Sequence, residues 1–251
     1  MKALITGASS GMGKDMAKIL AQKGYDLILV ARNKKALEKI KKEVDVQTDI
    51  YAMDLTSSYN CMKLYNKIKE EEIEIVINNA GFGLCGKFEE TNLDKELDMI
   101  DLNIKAVHML TKLFYQKFKE KDAGYILNVA SSAAFLPGPL MATYYATKSY
   151  VLRLTEALYE EIRVDKSHVY VGCLCPGPVA TNFNAVAGVT FSAKPLSSEE
   201  VSLYAIKKMM QRKLVIIPGF LMKATFVLEH LLPTKLLMRF AYKFQKKKQI
   251  P

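Results

Sequence analysis

The segment that decides the fold is TGASSGMGKD, residues 6–15, close to the start of the chain. Its glycines, Gly7, Gly11 and Gly13, follow a short apolar run and open an amphipathic pattern. Such a turn can hold a phosphate at a helix N-terminus, because glycine adopts unusual backbone angles and lets a ligand approach closely. The spacing G-x-x-x-G-x-G differs from the G-x-G-x-x-G fingerprint, so an ordinary Gly/Ser-rich turn also fits this segment alone.

Apolar runs and amphipathic stretches alternate along most of the chain. The runs expected as strands occupy residues 3–5, 26–31, 50–53, 73–77, 125–129, 169–174 and 214–217. Helices are expected between them, for instance over 13–24 and 34–44, where Asn33 could cap the second helix. Runs that are apolar throughout are typical of a parallel sheet covered on both faces. The pattern predicts an α/β fold, a single-domain Rossmann-type doubly wound parallel sheet of about seven strands flanked by helices, over residues 1–251.

The formal net charge of +10 is concentrated at the end of the chain. Residues 207–251 contain nine lysines, two arginines and one glutamate, so residues 1–206 hold equal numbers of acidic and basic side chains. No zinc-finger or RNA-recognition pattern accompanies the basic tail. Nucleic acid is therefore not expected as a partner of the domain.

The cysteine spacing indicates whether a metal site is expected, and the N-terminal sequence indicates the expected cellular location. The cysteines, Cys61, Cys85, Cys173 and Cys175, lack metal-ligand spacing and are expected to be buried free thiols, with no metal site. The chain opens without a charged-then-apolar leader, and it lacks a run of 18 apolar residues. A cytoplasmic protein is expected.

One helical pair has the chemistry of proton transfer. Tyr144 and Lys148 are four residues apart, hence on one face of a helix. An ammonium group near a phenol favours the phenolate, so Lys148 is expected to lower the pKa of Tyr144 from its usual value of about 10. Such a tyrosine can exchange a proton with a carbonyl oxygen. The neighbouring Tyr145 has Ser149 at the matching offset, so the pairing selects Tyr144.

Further motifs follow the fourth, fifth and sixth expected strands: NNAG at 78–81, Ser131, thirteen residues before Tyr144, and PGPVAT at 176–181. With TGASSGMG, the DL pair at 54–55, Asn103 and Tyr144-x-x-x-Lys148, these motifs cover about residues 2–181. In this order they resemble the short-chain dehydrogenase/reductase family, in an NADP-preferring type with an extended basic C-terminus.

The resemblance implies an NAD(P)-dependent oxidoreductase that interconverts a carbonyl and an alcohol. No side chain can donate hydride, so a nicotinamide must supply it. Tyr144 would be the proton donor or acceptor, and Ser131 would bond the substrate oxygen. Lys148 would bind the nicotinamide ribose, and Asn103 would hold a water linking Lys148 to a proton relay. The alternative is a catalytically silent NADP(H)-binding scaffold or sensor, which has no evident need for all of these residues.

The resemblance also implies how the cofactor is held. The turn from Gly7 to Gly13 would wrap the pyrophosphate, Asp54 and Leu55 would contact the adenine, and 79–81 would lie along the adenosine ribose. Val179 and Thr181 would hold the nicotinamide amide. The complete set of expected cofactor residues is Gly7, Ser9, Ser10, Gly11, Met12, Gly13, Arg32, Asn33, Asp54, Leu55, Asn79, Ala80, Gly81, Tyr144, Lys148, Pro176, Gly177, Val179 and Thr181.

The end of the second strand indicates which dinucleotide is preferred. NAD-using relatives place a carboxylate there for the ribose 2′-hydroxyl, whereas this chain has Ala31 followed by Arg32. A guanidinium can bind a 2′-phosphate with two hydrogen bonds, and Asn33 could add a third. NADP(H) is therefore expected in preference to NAD(H).

Residues 182–212 are expected to cover the substrate. Apolar side chains here and nearby, Phe135, Leu136, Phe183 and Phe191, could line a pocket or could equally cover the core. The substrate class stays open among sterol, fatty-acyl, sugar and aryl ketones.

Residues 219–251 form a basic amphipathic extension, in which Phe226, Leu231 and Leu232 lie among Lys223, Lys235 and Arg239, and Pro233 breaks or bends the helix. Such a stretch can lie on an anionic membrane surface, but packing on the domain or on a second subunit is favoured. The family resemblance implies a homodimer or homotetramer.

Overall fold

A seven-stranded parallel sheet forms the centre of the protein, seen here in a computed structural model. The strands are β1 (Lys2–Thr6), β2 (Asp26–Ala31), β3 (Thr48–Ala52), β4 (Ile73–Asn78), β5 (Tyr125–Val129), β6 (Tyr170–Leu174), β7 (Val179–Ala180), β8 (Leu196–Ser197) and β9 (Val215–Ile216). The sheet order is β3-β2-β1-β4-β5-β6-β9, and β7 pairs with β8 separately. The predicted doubly wound α/β fold is confirmed.

Helices cover both faces of this sheet. They are α1 (Gly11–Gln22), α2 (Lys34–Glu43), α3 (Ser58–Ile68), α4 (Leu93–Ile100), α5 (Val107–Lys121), α6 (Ala142–Val164), α7 (Ser198–Met210) and α8 (Thr234–Lys246). A π-helical turn, Asp101–Ala106, joins α4 to α5. The predicted cap is present, since Asn33 Oδ1 accepts a hydrogen bond of 3.1 Å from Ala36 N at the start of α2.

The structure describes residues 1–183, 187–188, 195–219, 222 and 233–246, without the side chain of Phe244. Several residues of the expected lid and extension, Phe191, Lys223, Phe226, Leu231 and Leu232, lie outside this range. No helix within the described residues is both long enough and apolar enough to span a bilayer.

The core has two layers because side chains along each strand alternate between the two faces of the sheet. In β1, Ala3 and Ile5 pack with α1, α2 and α7, whereas Leu4 packs with α3 and α5. Strands that are buried on both faces explain the uninterrupted apolar runs of the sequence.

A buried polar network ties β4 and β5 to the helices behind them. Asn78 Nδ2 donates to Asn128 Oδ1 at 2.8 Å and to Thr111 Oγ1 at 3.1 Å. Asn128 Nδ2 in turn donates to Thr155 Oγ1 on α6 at 3.0 Å. All of these side chains are buried, so each depends on the others to satisfy its polar atoms.

Removal of the central amide should destabilise the whole fold. We expect Asn128→Ala to lower the free energy of unfolding by roughly 2–4 kcal/mol, because Asn78 and Thr155 would lose buried partners. Urea unfolding measures the change. Asn92→Ala, which removes only the exposed cap of α4, is the matched control and should cost about 1 kcal/mol. Equal losses in the two variants would contradict the role of the network.

Candidate active site

The carboxyl ends of the central strands surround one large cavity. The strand order reverses between β1 and β4, which is where ligands bind in open α/β sheets. The cavity has a volume of about 980 Å³ and is lined from the turn after β1 to helix α8. Most of the residues expected from the sequence meet here.

The first wall is the glycine turn after β1. Gly7 and Gly11 have φ angles of +65° and +51°, which only glycine adopts readily. A Cβ on Gly7 would lie 2.8 Å from Ala80 Cα, and one on Gly11 would lie 2.9 Å from Thr181 Cγ2. The turn is therefore pressed against the ends of neighbouring strands and has no space for side chains.

Gly13 has a packing role that was not expected from the sequence. It does not line the cavity, and a Cβ there would lie 2.3 Å from the Gly7 carbonyl oxygen and 2.5 Å from Asn79 Nδ2. Gly13 thus lets α1 approach β1 closely, and its expected contact with the pyrophosphate stays a prediction.

Asn79 lines the cavity, and its side chain also forms hydrogen bonds with the protein backbone. Its Nδ2 donates to the carbonyl oxygens of Thr6 at 3.0 Å and Gly7 at 3.2 Å. In return, Thr6 Oγ1 accepts hydrogen bonds of 3.0 Å from the backbone N–H groups of Asn79 and Ala80. Thr6 was not predicted as a site residue, although its position directly before Gly7 could have indicated it.

The N-terminus of α1 has the properties of an anion site. Ser10 caps the helix without a side-chain hydrogen bond, and the first turn contains no acidic residue. Ser9, Ser10, Gly11 and Met12 all line the cavity. Backbone N–H groups at this end, with the helix dipole, favour negative charge. The cradle fits the pyrophosphate of a dinucleotide.

At the far end of the cavity, Arg32, Asn33, Asp54 and Leu55 line the expected adenosine side. Arg32 is 76% exposed at its side chain, and its Nη1 lies 4.0 Å from Asp54 Oδ2. The guanidinium is therefore only weakly tethered and is free to bind a ligand phosphate. Ala31, at the end of β2, carries no carboxylate that would repel one.

Ser131, Tyr144 and Lys148 come together beside the cavity, as expected. Tyr144 and Lys148 are only 7% and 4% exposed. Lys148 Nζ donates to the Val129 carbonyl oxygen at 2.9 Å and lies 5.9 Å from the centre of the Tyr144 ring. Ser131 makes a side-chain hydrogen bond with Tyr144.

Burial, and not Lys148, dominates the acidity of Tyr144 in the protein alone. Burial raises the pKa of Tyr144 to about 12, although the hydrogen bond with Ser131 acts in the opposite direction. Burial also lowers the pKa of Lys148 to about 8. The expected lowering of the Tyr144 pKa by Lys148 is thus not found, because removal from water disfavours both charged forms. Near neutral pH, Tyr144 is a protonated phenol.

Asn103 lies in the π-helical turn and is fully buried. Its Nδ2 donates to the Phe82 carbonyl oxygen at 2.9 Å and to Thr147 Oγ1 at 3.1 Å, while Oδ1 accepts from Phe82 N at 3.1 Å. A Cβ on Gly81 would touch both Asn103 Oδ1 and Lys148 Nζ. Asn103 therefore fixes the strand end beside Lys148. Its expected water stays a prediction.

The remaining wall is apolar and includes residues that the sequence analysis missed. Leu136 and Phe183 line the cavity, whereas Phe135 packs on the core. The centre of the Phe183 ring lies 5.3 Å from that of Tyr144. Further lining residues are Met141, Tyr145, Asn182, Met222, Leu237, Phe240, Ala241, Lys243 and Gln245.

Part of the basic extension therefore packs on the domain, since α8 contributes to the cavity wall. The spacing of Leu237, Ala241 and Gln245, four residues apart, was the available signal. Within the expected lid, Asn182 and Phe183 reach the cavity. Helix α7, in contrast, packs beside α1, where Ser202 Oγ donates to the Met12 carbonyl oxygen at 3.3 Å.

A family model for short chain dehydrogenases matches residues 1–189. The chain belongs to the short-chain dehydrogenase/reductase family. The human very-long-chain 3-oxoacyl-CoA reductase is 33% identical over 215 residues, 82% of this chain and 67% of that protein. The matched part of the chain covers 64% to 78% of the length of the first curated relatives.

Solved structures of family members agree with the fold. A short-chain dehydrogenase from Sphingobium yanoikuyae in complex with NADPH is 31% identical, with a TM-score of 0.81 over 87% of this chain and 88% of that one. A member from Burkholderia phymatum in complex with NAD is 25% identical, with a TM-score of 0.82 over 91% and 92%.

Membership of the short-chain dehydrogenase/reductase family makes the protein an NAD(P)-dependent oxidoreductase acting on carbonyl or CH–OH groups. The family binds NAD(P)(H), acts on small molecules and is commonly oligomeric. The roles of individual site residues stay predictions.

The buried ammonium should give a measurable pH dependence of stability. Because the pKa of Lys148 is about 8 when folded and about 10.4 when unfolded, the folded state carries the cost of the charge below about pH 8 and loses it as pH rises. The free energy of unfolding of wild type, relative to Lys148→Met, should rise by up to about 1.4 kcal/mol per unit between about pH 8 and pH 10. Urea unfolding of the cofactor-free protein tests this, and a difference independent of pH would contradict it.

Proposed function

We propose that the protein is an NADPH-dependent carbonyl reductase that converts an apolar ketone or aldehyde to an alcohol. The observation that carries this proposal is the protonated phenol of Tyr144, hydrogen-bonded to Ser131 at the wall of the cavity. A phenol is already protonated near neutral pH at its usual pKa of about 10, and burial keeps Tyr144 in that form, so it has a proton to give to a carbonyl oxygen. Alcohol oxidation, the reverse direction, requires the phenolate.

Each residue of the site then has a task. The bound dinucleotide supplies hydride to the carbonyl carbon. Ser131 donates a hydrogen bond to the carbonyl oxygen, and Tyr144 gives it a proton as negative charge develops there. Lys148, whose Nζ donates to the Val129 carbonyl oxygen, would bind the nicotinamide ribose and would be the source of the proton that Tyr144 regains. The glycine turn and the N-terminus of α1 bind the pyrophosphate.

NADPH is proposed over NADH from the end of β2. Ala31 leaves the 2′ position without a carboxylate, and the side chain of Arg32 is exposed at the cavity rim. Solved relatives were obtained with NADPH and with NAD, so family membership alone does not select between them. The preference rests on Arg32.

The substrate is proposed to be a large apolar ketone. Met141, Phe183, Leu237 and Ala241 line the cavity beyond Tyr144, and their side chains offer mainly apolar contact. The human relative, a very-long-chain 3-oxoacyl-CoA reductase, is compatible with such a substrate. We propose a cytoplasmic enzyme, a homodimer or homotetramer, in which residues 182–183 and α8 together cover the substrate.

Removal of the phenol hydroxyl should abolish reduction. We expect Tyr144→Phe to lower the turnover of NADPH with apolar ketones by roughly 100-fold or more, because the proton donor is lost. NADPH binding, followed by its fluorescence, should persist. Tyr150→Phe removes a hydroxyl that bonds only His108 outside the cavity and should behave as wild type. Tight NADPH binding without turnover of any ketone by wild type would favour the catalytically silent scaffold.

Cofactor preference should depend on Arg32. We expect Arg32→Ala to weaken NADPH binding roughly tenfold or more, since charge-assisted hydrogen bonds to the 2′-phosphate are lost, and to change NADH binding much less. Titration of both dinucleotides provides the measurement. Lys34→Ala, at an exposed lysine two residues after Arg32, is the control for a general loss of positive charge. Equal losses for NADPH and NADH would refute the assignment.

A further inference from the structure

The inner face of α8 forms one side of the substrate end of the cavity. Leu237, Ala241 and Gln245 are spaced by four residues and so lie along one line of the helix. The first two are apolar, like most of the surrounding wall. Gln245, the third residue of this line, is polar.

Gln245 is 2% exposed, and its carboxamide uses only part of its hydrogen-bonding capacity. Nε2 donates to the hydroxyl of Tyr145, whereas Oε1 has no hydrogen-bond partner among the described residues. Glu74 and Asn78 also have a buried side-chain oxygen without a hydrogen-bond partner there, but neither of them lines the cavity. Within the described part of the chain, the acceptor of Gln245 is thus the buried unpartnered polar atom at the substrate site.

A structural role alone does not explain this acceptor. Burying an oxygen without a donor is unfavourable, and a leucine or methionine would fill a similar volume without that cost. The bond to the Tyr145 hydroxyl holds one end of the carboxamide in place. Tyr145 lies next to Tyr144, with ring centres 6.1 Å apart, so the acceptor is held near the reacting end of the cavity.

We propose that Gln245 is a specificity-determining residue whose Oε1 accepts a hydrogen bond from the substrate. The inference deepens the proposed reductase function and rests on it. The ligand chemistry is a hydroxyl or an amide N–H that the ketone carries apart from its carbonyl, on an otherwise apolar frame. Tyr145 is a positioning residue, because its hydroxyl holds the carboxamide and need not touch the substrate.

Discrimination follows from the unpartnered acceptor. A ketone with a suitably placed donor satisfies Oε1, whereas a ketone without one leaves it buried and unpaired. The enzyme should therefore prefer the donor-bearing member of a matched pair. An ether, which can only accept, should be disfavoured because its oxygen would face another acceptor.

The probes are methyl ketones that carry a terminal hydroxyl at increasing chain length, each paired with its methyl ether. A second series pairs a secondary amide with its N-methyl derivative, which separates hydroxyl from N–H donors. We expect wild type to show kcat/KM at least roughly tenfold higher for the best donor than for its blocked partner. In Gln245→Leu this ratio should fall towards one, and in Tyr145→Phe it should fall partway.

Binding gives a readout that does not depend on turnover. Shifts in the melting temperature of the NADPH-saturated protein with each probe should show the same preference, reduced in Gln245→Leu. Gln211→Leu is the matched control, because Gln211 accepts from Lys208 Nζ at 2.7 Å on the exposed end of α7. It should keep the wild-type ratio.

The outcomes separate this inference from the function on which it rests. Turnover with an unchanged ratio in Gln245→Leu would overturn the role of Gln245 and leave the reductase intact. A binding preference lost in Gln245→Leu, without turnover, would support the site while contradicting the reductase. A preference for the ethers, or no binding by any donor-bearing probe, would overturn the inference.

Discussion

The contact between the ends of β1 and β4 is the constraint on which the site depends. Thr6 Oγ1 accepts from two successive backbone N–H groups at the end of β4, and Asn79 returns two hydrogen bonds to the backbone of β1 and its turn. These bonds draw the two strand ends together at the reversal of strand order. The close approach requires glycine at positions 7 and 13 and leaves the N-terminus of α1 facing the crevice. The anion site is thus a consequence of strand packing.

The catalytic side of the site depends on the neighbouring buried polar groups. Asn128 links β5 to α6 through Thr155, and Asn103 links the π-helical turn to α6 through Thr147. Helix α6 carries Tyr144 and Lys148, so both networks set the position of these two side chains. The same burial that fixes these side chains disfavours their charged forms. The fixed positions of these side chains and the shifts in their pKa values therefore have a common physical origin.

Local patterns were sufficient to predict most of the fold and part of the site. The runs at 26–31 and 125–129 became β2 and β5 with the predicted bounds, because strands buried on both faces leave uninterrupted apolar sequence. The Tyr144–Lys148 offset likewise depends only on helical spacing. The acidity of Tyr144 could not be read in this way, since burial arises from elements distant in sequence. The partners of Asn103 and the packing role of Gly13 could not be predicted either, because both depend on contacts between residues that are distant in sequence.

Helix α8 has one side facing the cavity and another side exposed to water. Leu237, Ala241 and Gln245 face the cavity, while the basic residues Lys235, Arg239 and Lys246 are exposed. Charge on the outer face keeps water on that side of the helix, and apolar contact holds the inner face on the domain. The outer side of α8 also exposes Leu236, Met238 and Tyr242, so the surface left for a second partner carries apolar side chains as well as basic ones. The basic composition that first suggested a separate binding tail is, over residues 234–246, the solvated side of a substrate-site wall.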